Sequence, residues 1–399
     1  MRTFISTEEA WEIIRDSLPV PVPQMVPLSE VLGRTVLDEV ISKEAVPPFA
    51  NSAMDGFAVL STDLQPEGGV LKVIGEVRAG AWPDVEVLRG TCMEIMTGAP
   101  MPEGADAVVP VEWTTAAEGE VSIDRGVKPG RHVRLAGQDM EIGDVVLPPG
   151  ARVGSAELSA LVTAGLSEVR VGEIPAVAVI STGDELVAPG HRMGPGQIRN
   201  SNGPALAARV LEAGARVIAE LHAIDVKRDI VHTIRRALKA DVLVFSGGVS
   251  MGKYDLVQEA LEELGFQPLF WKVKQRPGKP LAFGLLDGRP VFGLPGNPVS
   301  AAICFDQYVR PALTLMQGGG ALRRPRWLAR IGEAFPKPPG LHVYARGIAV
   351  SDGPNLTVRP AGAQGSNISM SLVRANCIVH LPSEWDDADT GRTAEVEFA

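Results

Sequence analysis

Four loops rich in glycine and proline constrain the fold of this chain, because each follows an apolar run in its second half. They span 181–186, 246–255, 276–280 and 293–302. An apolar run that ends in such a loop is typical of a strand in an open parallel sheet. In these sheets ligands bind at the carboxyl ends of the strands, where backbone amides attract anions. The four loops therefore predict a site for an anionic ligand with a metal ion.

Segments of strand length and of helix length alternate regularly from residue 175 onward. The predicted strands are 176–180, 216–221, 242–245, 281–284 and 290–294. The predicted helices are 204–213, 229–240, 256–264 and 299–309, and the last should end before Pro311. Strands that alternate with helices of this length favour a doubly wound α/β domain with a mostly parallel sheet.

The other residues have the patterns of a helical or mixed region and of two β-regions. Ser6 and Glu9 have capping-box spacing for an opening helix that ends at Pro19, and helical patterns recur at 28–33 and 155–165. Short apolar runs broken by glycine and proline indicate an all-β insertion and a small C-terminal β-domain. The predicted domains are an elongated domain of 1–45 and 140–174, an inserted β-domain of 46–139, the α/β domain of 175–317 and a β-domain of 318–399.

The composition is that of an enzyme with more than one hydrophobic core, since 399 residues with 45% apolar content exceed what one core usually serves. The net charge of −10 and the scattered lysines and arginines argue against nucleic acid and anionic membranes as partners. The N-terminus lacks the pattern of a signal peptide and no apolar run is long enough to span a bilayer, so we expect a cytoplasmic protein. The distant Cys92, Cys304 and Cys377 favour reduced thiols.

The ends of the predicted strands carry groups suited to phosphate and magnesium. The backbone amides are those of Gly247, Gly248, Gly296 and Asn297. The carboxylates are those of Glu185, Asp225 and Asp255. Magnesium usually takes one or two carboxylates together with substrate phosphate oxygens, so this rim suits a phosphorylated nucleotide with its metal. No Walker A sequence is present and no GxGxxG follows a strand, which argues against a P-loop and against hydride transfer.

These loops resemble, in order and spacing, those of the molybdopterin molybdenumtransferases, a family related to the E domain of gephyrin. The motifs are STGDEL, SGGVSMGKYD, PGKP and GLPGNPVS, with PPFANSAMDGFAV at 47–59, IMTGAPMPEGADAVVP at 95–110 and QGSNISMS at 364–371. The resemblance covers nearly the whole chain. It implies a magnesium-dependent reaction in which adenylylated molybdopterin is cleaved, molybdate is inserted into its dithiolene and AMP is released.

The resemblance also implies a C-terminal β-barrel and a homodimer, in which the inserted domain of one subunit faces the α/β domain of the other. The implied protein partners are a molybdopterin adenylyltransferase and recipient apo-molybdoenzymes. The implied catalytic residues are Asp55, Thr97, Glu185, Asp225, Asp255 and Lys279, of which Glu185, Asp225 and Asp255 would bind magnesium. The implied substrate-binding residues are Arg134, Asp139, Gly247, Gly248, Ser250, Arg276, Pro295, Gly296, Asn297, Pro298, Ser300, Arg346 and Ser366.

The chain departs from the family pattern at two places. Arg276 stands where the family commonly has lysine, which keeps the positive charge but changes it to a planar fork. Arg134 and Asp139 are retained in a loop whose neighbouring charges differ from the family's.

Two other functions compete with this interpretation. A molybdopterin adenylyltransferase has the same α/β domain but would not need the inserted or the C-terminal domain. A scaffold that binds a partner protein, as gephyrin does, would not need the set of Asp55, Thr97, Asp255 and Lys279. The motifs of all the domains are present, which favours the molybdate-inserting enzyme.

Overall fold

A seven-stranded sheet forms the α/β part of the chain in the computed structural model, which describes residues 1–248, 256–320 and 324–398. The strand order across the sheet is Arg2–Ile5, Gln267–Val273, Ala282–Leu286, Arg289–Leu294, Val242–Ser246, Ala176–Thr182 and Arg216–Ala223. Ala282–Leu286 is antiparallel to both of its neighbours, and every other pair is parallel. The other strands therefore end at one common edge, and the predicted mostly parallel sheet is confirmed.

Helices cover both faces of this sheet. They are Thr7–Ser17, Asn202–Glu212, Lys227–Ala237, Leu256–Glu263, Pro298–Cys304 and Arg310–Met316, and a π-helical turn, Phe305–Val309, joins the last two. One apolar core lies on each face. Every residue of Ala176–Thr182 is buried, as expected for a central strand that is covered on both sides.

Three features of this domain differ from the sequence-based expectation. The helix predicted to end before Pro311 continues to Met316, because proline is tolerated in the first turn of Arg310–Met316 after the π-helical turn. The strand Gln267–Val273 was not predicted. The first strand, Arg2–Ile5, pairs with it, and Trp11 and Ile14 lie in the α/β core, although the predicted division places residues 1–45 in the elongated domain.

The split domain is small and has its own core. Its elements are the strand pairs Pro23–Pro27 with Glu168–Gly172 and Val40–Ile41 with Val145–Leu147, and the helix Ser155–Thr163. The predicted helix at 28–33 is wrong in length, since only the 3₁₀ turn Leu28–Glu30 forms, and Gly33 takes a positive φ of 78° just beyond it.

The inserted segment is all β, apart from two short 3₁₀ turns, as predicted. Its six-stranded sheet has the order Ala107–Pro110, Gly56–Val59, Thr91–Ile95, Gly69–Val77, Glu120–Ile123 and Thr114–Ala117. The 3₁₀ turns are Ser61–Asp63 and Val111–Trp113, and the short strands Asn51–Ser52 and Val133–Arg134 pair beside the sheet. Two apolar clusters fill this domain.

The C-terminal strands close into a barrel. Their order is His342–Asp352, Asn355–Pro360, Arg326–Ile331, Thr393–Phe398 and Cys377–Leu381, and the last of these pairs again with the first. The implied C-terminal β-barrel is therefore confirmed. Gln275–Arg276 adds to the outside of His342–Asp352, which ties the barrel to the α/β domain. The helix Met370–Arg374 completes the region.

The three cysteines are free and buried, as the sequence predicts. Burial raises the pKa of the Cys92 thiol to about 12. Within the described ranges, no helix is both long enough and apolar enough to cross a bilayer.

Candidate functional site

A cleft of about 520 Å³ lies where the central strands end. Its walls come from the loops after Ala176–Thr182, Val242–Ser246 and Arg289–Leu294, together with one residue of the C-terminal region. The lining residues are Thr182, Glu185, Leu186, Ile198, Arg199, Asn200, Ser201, Asn202, Ser246, Gly247, Gly296, Asn297, Pro298 and Asn367. The predicted site at the carboxyl edge thus corresponds to a real concavity, and it contains Glu185, Gly247, Gly296, Asn297 and Pro298 of the predicted set.

The glycines of the SGG turn let the backbone pass close to its neighbours, where a side chain would not fit. Gly247 and Gly248 have positive φ angles of 87° and 59°. A Cβ atom at Gly248 would lie 2.5 Å from Thr182 Oγ1 and 2.5 Å from Val257 Cγ2. Larger residues are therefore excluded here, and the backbone comes close to Thr182.

Thr182 is a candidate site residue that the sequence analysis did not select. Its hydroxyl is buried, and no hydrogen-bond partner for it is found among the described residues. Because a buried hydroxyl normally has a partner, this group is available to a ligand in the cleft that it lines. Its position at the start of the STGDEL motif, at the end of a fully buried strand, is the signal that could have identified it.

The GNP turn is held from two directions. Asn202 Nδ2 donates hydrogen bonds to Gly296 O at 2.7 Å and to Ser246 Oγ at 2.8 Å, so it joins two of the cleft loops. Asn297 Nδ2 donates to Ser366 Oγ at 3.2 Å, and Val299 N–H donates to Ser366 O at 3.2 Å. The predicted pair Asn297 and Ser366 therefore meet, although they belong to different domains. Asn202 was not predicted.

Pro295 and Ser300 lie beneath the same turn rather than at its surface. Pro295 is buried, and Ser300 is 3% exposed on the helix Pro298–Cys304. They can fix the shape of the turn, but the bound-anion contact expected of Ser300 would require access that its burial restricts.

Arg346 is the most unusual charged residue of the region. It is 1% exposed, its Nε donates to Ser371 Oγ at 3.1 Å, and its Nη2 donates to Gly365 O at 3.1 Å. None of the ion pairs among the described residues involves it. Burial, and secondly the positive charge of Arg276, lower its pKa to about 10. A buried cation without a carboxylate partner is costly, which makes this a favourable place for an anion.

Arg276 is brought to Arg346 by the pairing of Gln275–Arg276 with the barrel strand His342–Asp352. Arg276 is exposed, whereas Arg346, on the barrel strand of this pair, is buried. The two guanidinium groups therefore combine an accessible and an enclosed positive charge. The predicted residues Arg276 and Arg346 are thus brought together at the RPGKP loop.

Lys279 extends from the same loop on its other side. Its Nζ lies 4.9 Å from the centre of the Phe4 ring, within the range of a cation–π contact. Gly278 precedes it with a φ of 89°, and a Cβ atom there would lie 2.4 Å from Cys304 Sγ. The loop that carries Arg276 and Lys279 therefore has one permitted shape, which requires glycine at this position.

Asp55 and Thr97 form a second charged site, in the inserted domain. Asp55 Oδ1 accepts hydrogen bonds from Thr97 N–H at 2.6 Å and from Thr97 Oγ1 at 2.8 Å. These two bonds lower the pKa of the Asp55 carboxyl, so it is ionised at neutral pH. The next residue, Gly56, begins a strand that lies so close to its neighbour that a Cβ atom there would be 1.9 Å from Val109 O.

Arg134 approaches the same segment, since Val133–Arg134 pairs with Asn51–Ser52. It is exposed, as is Asp139, whose N–H donates to Val46 O at 2.9 Å. No hydrogen bond or ion pair among the described residues links Asp55 or Thr97 with the cleft of the α/β domain. The structure therefore groups the predicted residues into two sites within one subunit.

The predicted magnesium rim is only partly described. Glu185 lines the cleft, whereas Asp225 does not, and the Asp225 N–H donates to Asp184 Oδ1 at 2.9 Å. Asp255 and Ser250 lie outside the described residues. Among the residues that are described, no group of three or more histidine, cysteine, aspartate or glutamate side chains could hold a metal ion. One carboxylate at the cleft is still compatible with a metal bound chiefly by substrate oxygens.

Three family models match the sequence of this chain. The MoeA N-terminal region (domain I and II) matches residues 5–165, the probable molybdopterin binding domain matches 178–315, and the MoeA C-terminal region (domain IV) matches 329–398. Molybdopterin molybdenumtransferase of Haemophilus influenzae is 34% identical over 404 residues, which cover 99% of this chain and 98% of that protein. Molybdopterin molybdenumtransferase 2 of Mycobacterium tuberculosis is 35% identical over 401 residues, with 98% of each chain covered.

Solved structures agree with these sequence matches. One of a molybdopterin biosynthesis MoeA protein from Pyrococcus horikoshii superimposes with a TM-score of 0.86 at 25% identity and covers 99% of this chain and 100% of that one. A second structure of the MoeA protein superimposes with a TM-score of 0.83 at 32% identity and covers 99% of both chains.

The fold thus defines a multidomain enzyme whose α/β domain has a cleft at the carboxyl edge of its sheet and a barrel docked beside it. The chain belongs to the MoeA family of molybdopterin molybdenumtransferases, which are transferases of molybdenum cofactor biosynthesis.

Proposed function

We propose that this enzyme inserts molybdate into adenylylated molybdopterin and releases AMP. The observation that carries the proposal is that Arg346 is buried beside Arg276. Among the described residues, neither arginine forms an ion pair with a carboxylate. Two cations held together without a counter-ion favour a small oxyanion, and the adjacent cleft has the glycine turns that phosphate binding uses. Family membership supplies the chemical class of both substrates.

The cleft would hold the adenylylated pterin by its phosphates. The Asn297 amide and the Thr182 hydroxyl would donate to it from the described walls, whereas the Gly247 N–H already donates to Leu294 O at 3.2 Å. Pro295 and Pro298 restrict the GNP turn, and Asn202 joins it to the SGG turn. Donors fixed before the ligand arrives need little reorganisation during the reaction, which is the main way a site of this kind stabilises developing charge.

Arg276, Arg346 and Lys279 would hold molybdate. The planar fork of an arginine can donate two parallel hydrogen bonds to two oxyanion oxygens, whereas a lysine acts as a point charge. Holding molybdate next to the dithiolene would convert an encounter of two anions into a reaction within one complex. The Ser366 hydroxyl, which reaches Asn297, lies at the junction of the two substrate positions.

Magnesium would be bound by Glu185 with substrate oxygens, and Asp225 and Asp255 are its other proposed ligands. When bound, the ion neutralises phosphate charge and makes the bond to AMP easier to break. The protein's own part is to keep the Glu185 carboxylate at the cleft, where it accompanies Thr182 and Gly247.

Asp55 would act on the substrate of the partner subunit in a homodimer. Its carboxylate is exposed, ionised and held by Thr97, but no hydrogen bond or ion pair among the described residues joins it to the cleft of its own subunit. A neighbouring subunit that faces the cleft would supply what is missing, by orienting a water molecule or the metal ion. Arg134 lies near the same surface and would contact the same substrate.

The molybdopterin adenylyltransferase alternative would require only the α/β domain. Here the inserted and the C-terminal regions match the family as well, and the latter contributes Arg346 and Ser366 to the site. These contributions favour molybdate insertion over adenylylation.

The decisive experiment combines the purified protein with adenylylated molybdopterin, molybdate and magnesium, and follows AMP release and reconstitution of an apo-molybdoenzyme. Lys279→Ala should raise the molybdate concentration that gives half-maximal AMP release by about tenfold, as expected for the loss of a charged hydrogen bond. Lys274→Ala is the matched control, because Lys274 lies two residues before the loop that carries Lys279 and also lies over Phe4, at 5.6 Å. No AMP release by the parent protein, or equal effects of the two substitutions, would contradict the proposal.

A further inference from the structure

A π-helical turn, Phe305–Val309, contacts both the loop that carries Arg276 and the barrel that carries Arg346. It lies between the helices Pro298–Cys304 and Arg310–Met316. A π-helical turn is wider than an α-helical one and occurs frequently at functional sites. Here two adjacent side chains, Gln307 and Tyr308, are both buried and make hydrogen bonds to different domains.

Tyr308 holds the RPGKP loop from below. Its Oη donates to Gln275 Oε1 at 2.5 Å, and Gln275 Nε2 donates to Gly278 O at 3.1 Å. The Gln275 side chain is completely buried, so both hydrogen bonds are shielded from water. Because Arg276 and Lys279 directly follow these two anchored residues in the chain, the position of both cations depends on this contact.

Gln307 holds the barrel. Its Nε2 donates to Glu397 Oε2 at 3.1 Å, and His380 Nε2 lies 3.2 Å from the same oxygen. Glu397 and His380 are 4% and 2% exposed, on two barrel strands. The strand of His380 pairs directly with His342–Asp352, and Ile378 in it lies opposite Arg346.

We propose that Tyr308 and Gln307 are positioning residues that hold Arg276 and Arg346 at the separation the oxyanion requires. The two guanidinium groups repel each other, so without an anion their approach must be maintained by contacts elsewhere. The π-helical turn provides these contacts, since one rigid segment binds the loop through Gln275 and the barrel through Glu397. The inference rests on the proposed binding of molybdate by Arg276 and Arg346.

The test measures AMP release against molybdate concentration for Tyr308→Phe and Gln307→Leu. The half-saturating molybdate concentration should rise about fivefold to tenfold in each variant, as expected when one buried hydrogen bond that positions a ligand is lost. The rate at saturating molybdate and the half-saturating concentration of adenylylated molybdopterin should stay within about twofold. Thr314→Val is the matched control, because it removes a hydroxyl that donates to Arg310 O in the same helical segment.

Gln275→Met tests the same contact from the other side and serves if Tyr308→Phe does not fold. If Tyr308 acts through Gln275, the variant that combines Tyr308→Phe with Gln275→Met should have the same half-saturating molybdate concentration as Gln275→Met alone, because the effects of coupled residues are not additive. Lower thermal stability of both variants with unchanged molybdate dependence would reduce the turn to a structural role and overturn the inference. Arg276→Ala, measured in parallel, separates the two failures: if it also leaves molybdate dependence unchanged, the proposed anion site itself is wrong.

Discussion

Asp55 and Arg346 are both charged candidate residues, but they lie in opposite environments. Asp55 is exposed on the inserted domain, and its charge is already satisfied by two hydrogen bonds from Thr97. Arg346 is buried at the junction of the barrel and the α/β domain, and it donates to the neutral oxygens of Ser371 and Gly365. An exposed, satisfied charge costs the fold little, whereas a buried, unpaired one costs stability. We infer that Asp55 is arranged to act on a substrate and Arg346 to bind one.

The largest expected effect is at Arg346. Arg346→Met keeps most of the side-chain volume and removes the charge. The molybdate concentration that gives half-maximal AMP release should therefore rise by roughly 10-fold to 150-fold, which corresponds to about 1.5–3 kcal/mol of binding free energy. Thermal stability without molybdate should fall little or rise, because a buried charge is replaced by an apolar chain. A calorimetric scan with and without molybdate, together with the AMP assay, measures both effects.

The control for this change is Arg374→Met, since Arg374 is an exposed arginine on the neighbouring helix Met370–Arg374. Molybdate should raise the melting temperature of the parent and of this control, because a ligand that binds only the folded state stabilises it. An equal increase in Arg346→Met would show that the buried guanidinium does not contact the anion.

The opposite environment of Asp55 predicts a loss of rate without a loss of stability. Asp55→Asn keeps the shape and removes the charge, so AMP release should fall at least about tenfold, as when one positioned polar group is lost from a reaction site. The melting temperature should hardly change, because the side chain is exposed.

Asp63→Asn is the matched control for Asp55→Asn. Asp63 belongs to the same domain, and its carboxylate accepts a hydrogen bond from Gly90 N–H at 2.7 Å. If both variants have normal turnover, the hydrogen bonds between Asp55 and Thr97 only stabilise the loop, and Asp55 does not act on the substrate.

The loops of the α/β domain could be predicted because glycine and proline directly follow buried apolar strands there. Gly247, Gly296 and Asn297 lie in the cleft for that reason. The strand Gln267–Val273 could not be predicted in the same way, because it lies near the edge of the sheet and only Phe270 and Val273 in it are buried. The end of the last helix was predicted wrongly, since a π-helical turn before Pro311 allows the helix to continue.

The burial of Arg346 could not be derived from the residues around it. Its side chain donates to Gly365 O and Ser371 Oγ, and its backbone lies opposite Ile378, so its surroundings come from segments that are distant in the chain. Local patterns do not record such pairings, and only the resemblance placed Arg346 near the anion. Thr182 and Asn202 were missed for a related reason, because their importance comes from what lies opposite them across the cleft.

The separation of Asp55 from the cleft predicts complementation between subunits. If a homodimer places Asp55 of one subunit against the cleft of the other, mixing Asp55→Asn with Lys279→Ala should restore activity, because each mixed dimer has one site without a substitution. Random exchange between two-fold dimers should recover about a quarter of the parent rate. AMP release after mixing, and light scattering to establish the dimer, measure this. No recovery from exchanged dimers would mean that Asp55 and Lys279 serve the same subunit.

The smallest effect is expected from His342, a base in the same barrel as Arg346 that becomes neutral on burial. Burial, and secondly the neighbouring His380, lower the pKa of His342 to about 3, so this side chain is neutral where Arg346 remains charged. In the unfolded chain the group would bind a proton near pH 6.5. Its contribution to stability is therefore complete above that pH and is lost as the pH falls from about 6.5 towards 3, by roughly 1 kcal/mol per pH unit.

His342→Gln removes the titrating group and should make the free energy of unfolding in urea less dependent on pH between about 6.5 and 4.5. His232→Gln, at an exposed helix position, should retain the parent's slope. Parallel slopes for all three proteins would mean that His342 gains its proton without cost, and that burial in this barrel does not distinguish a neutral base from the cation at Arg346.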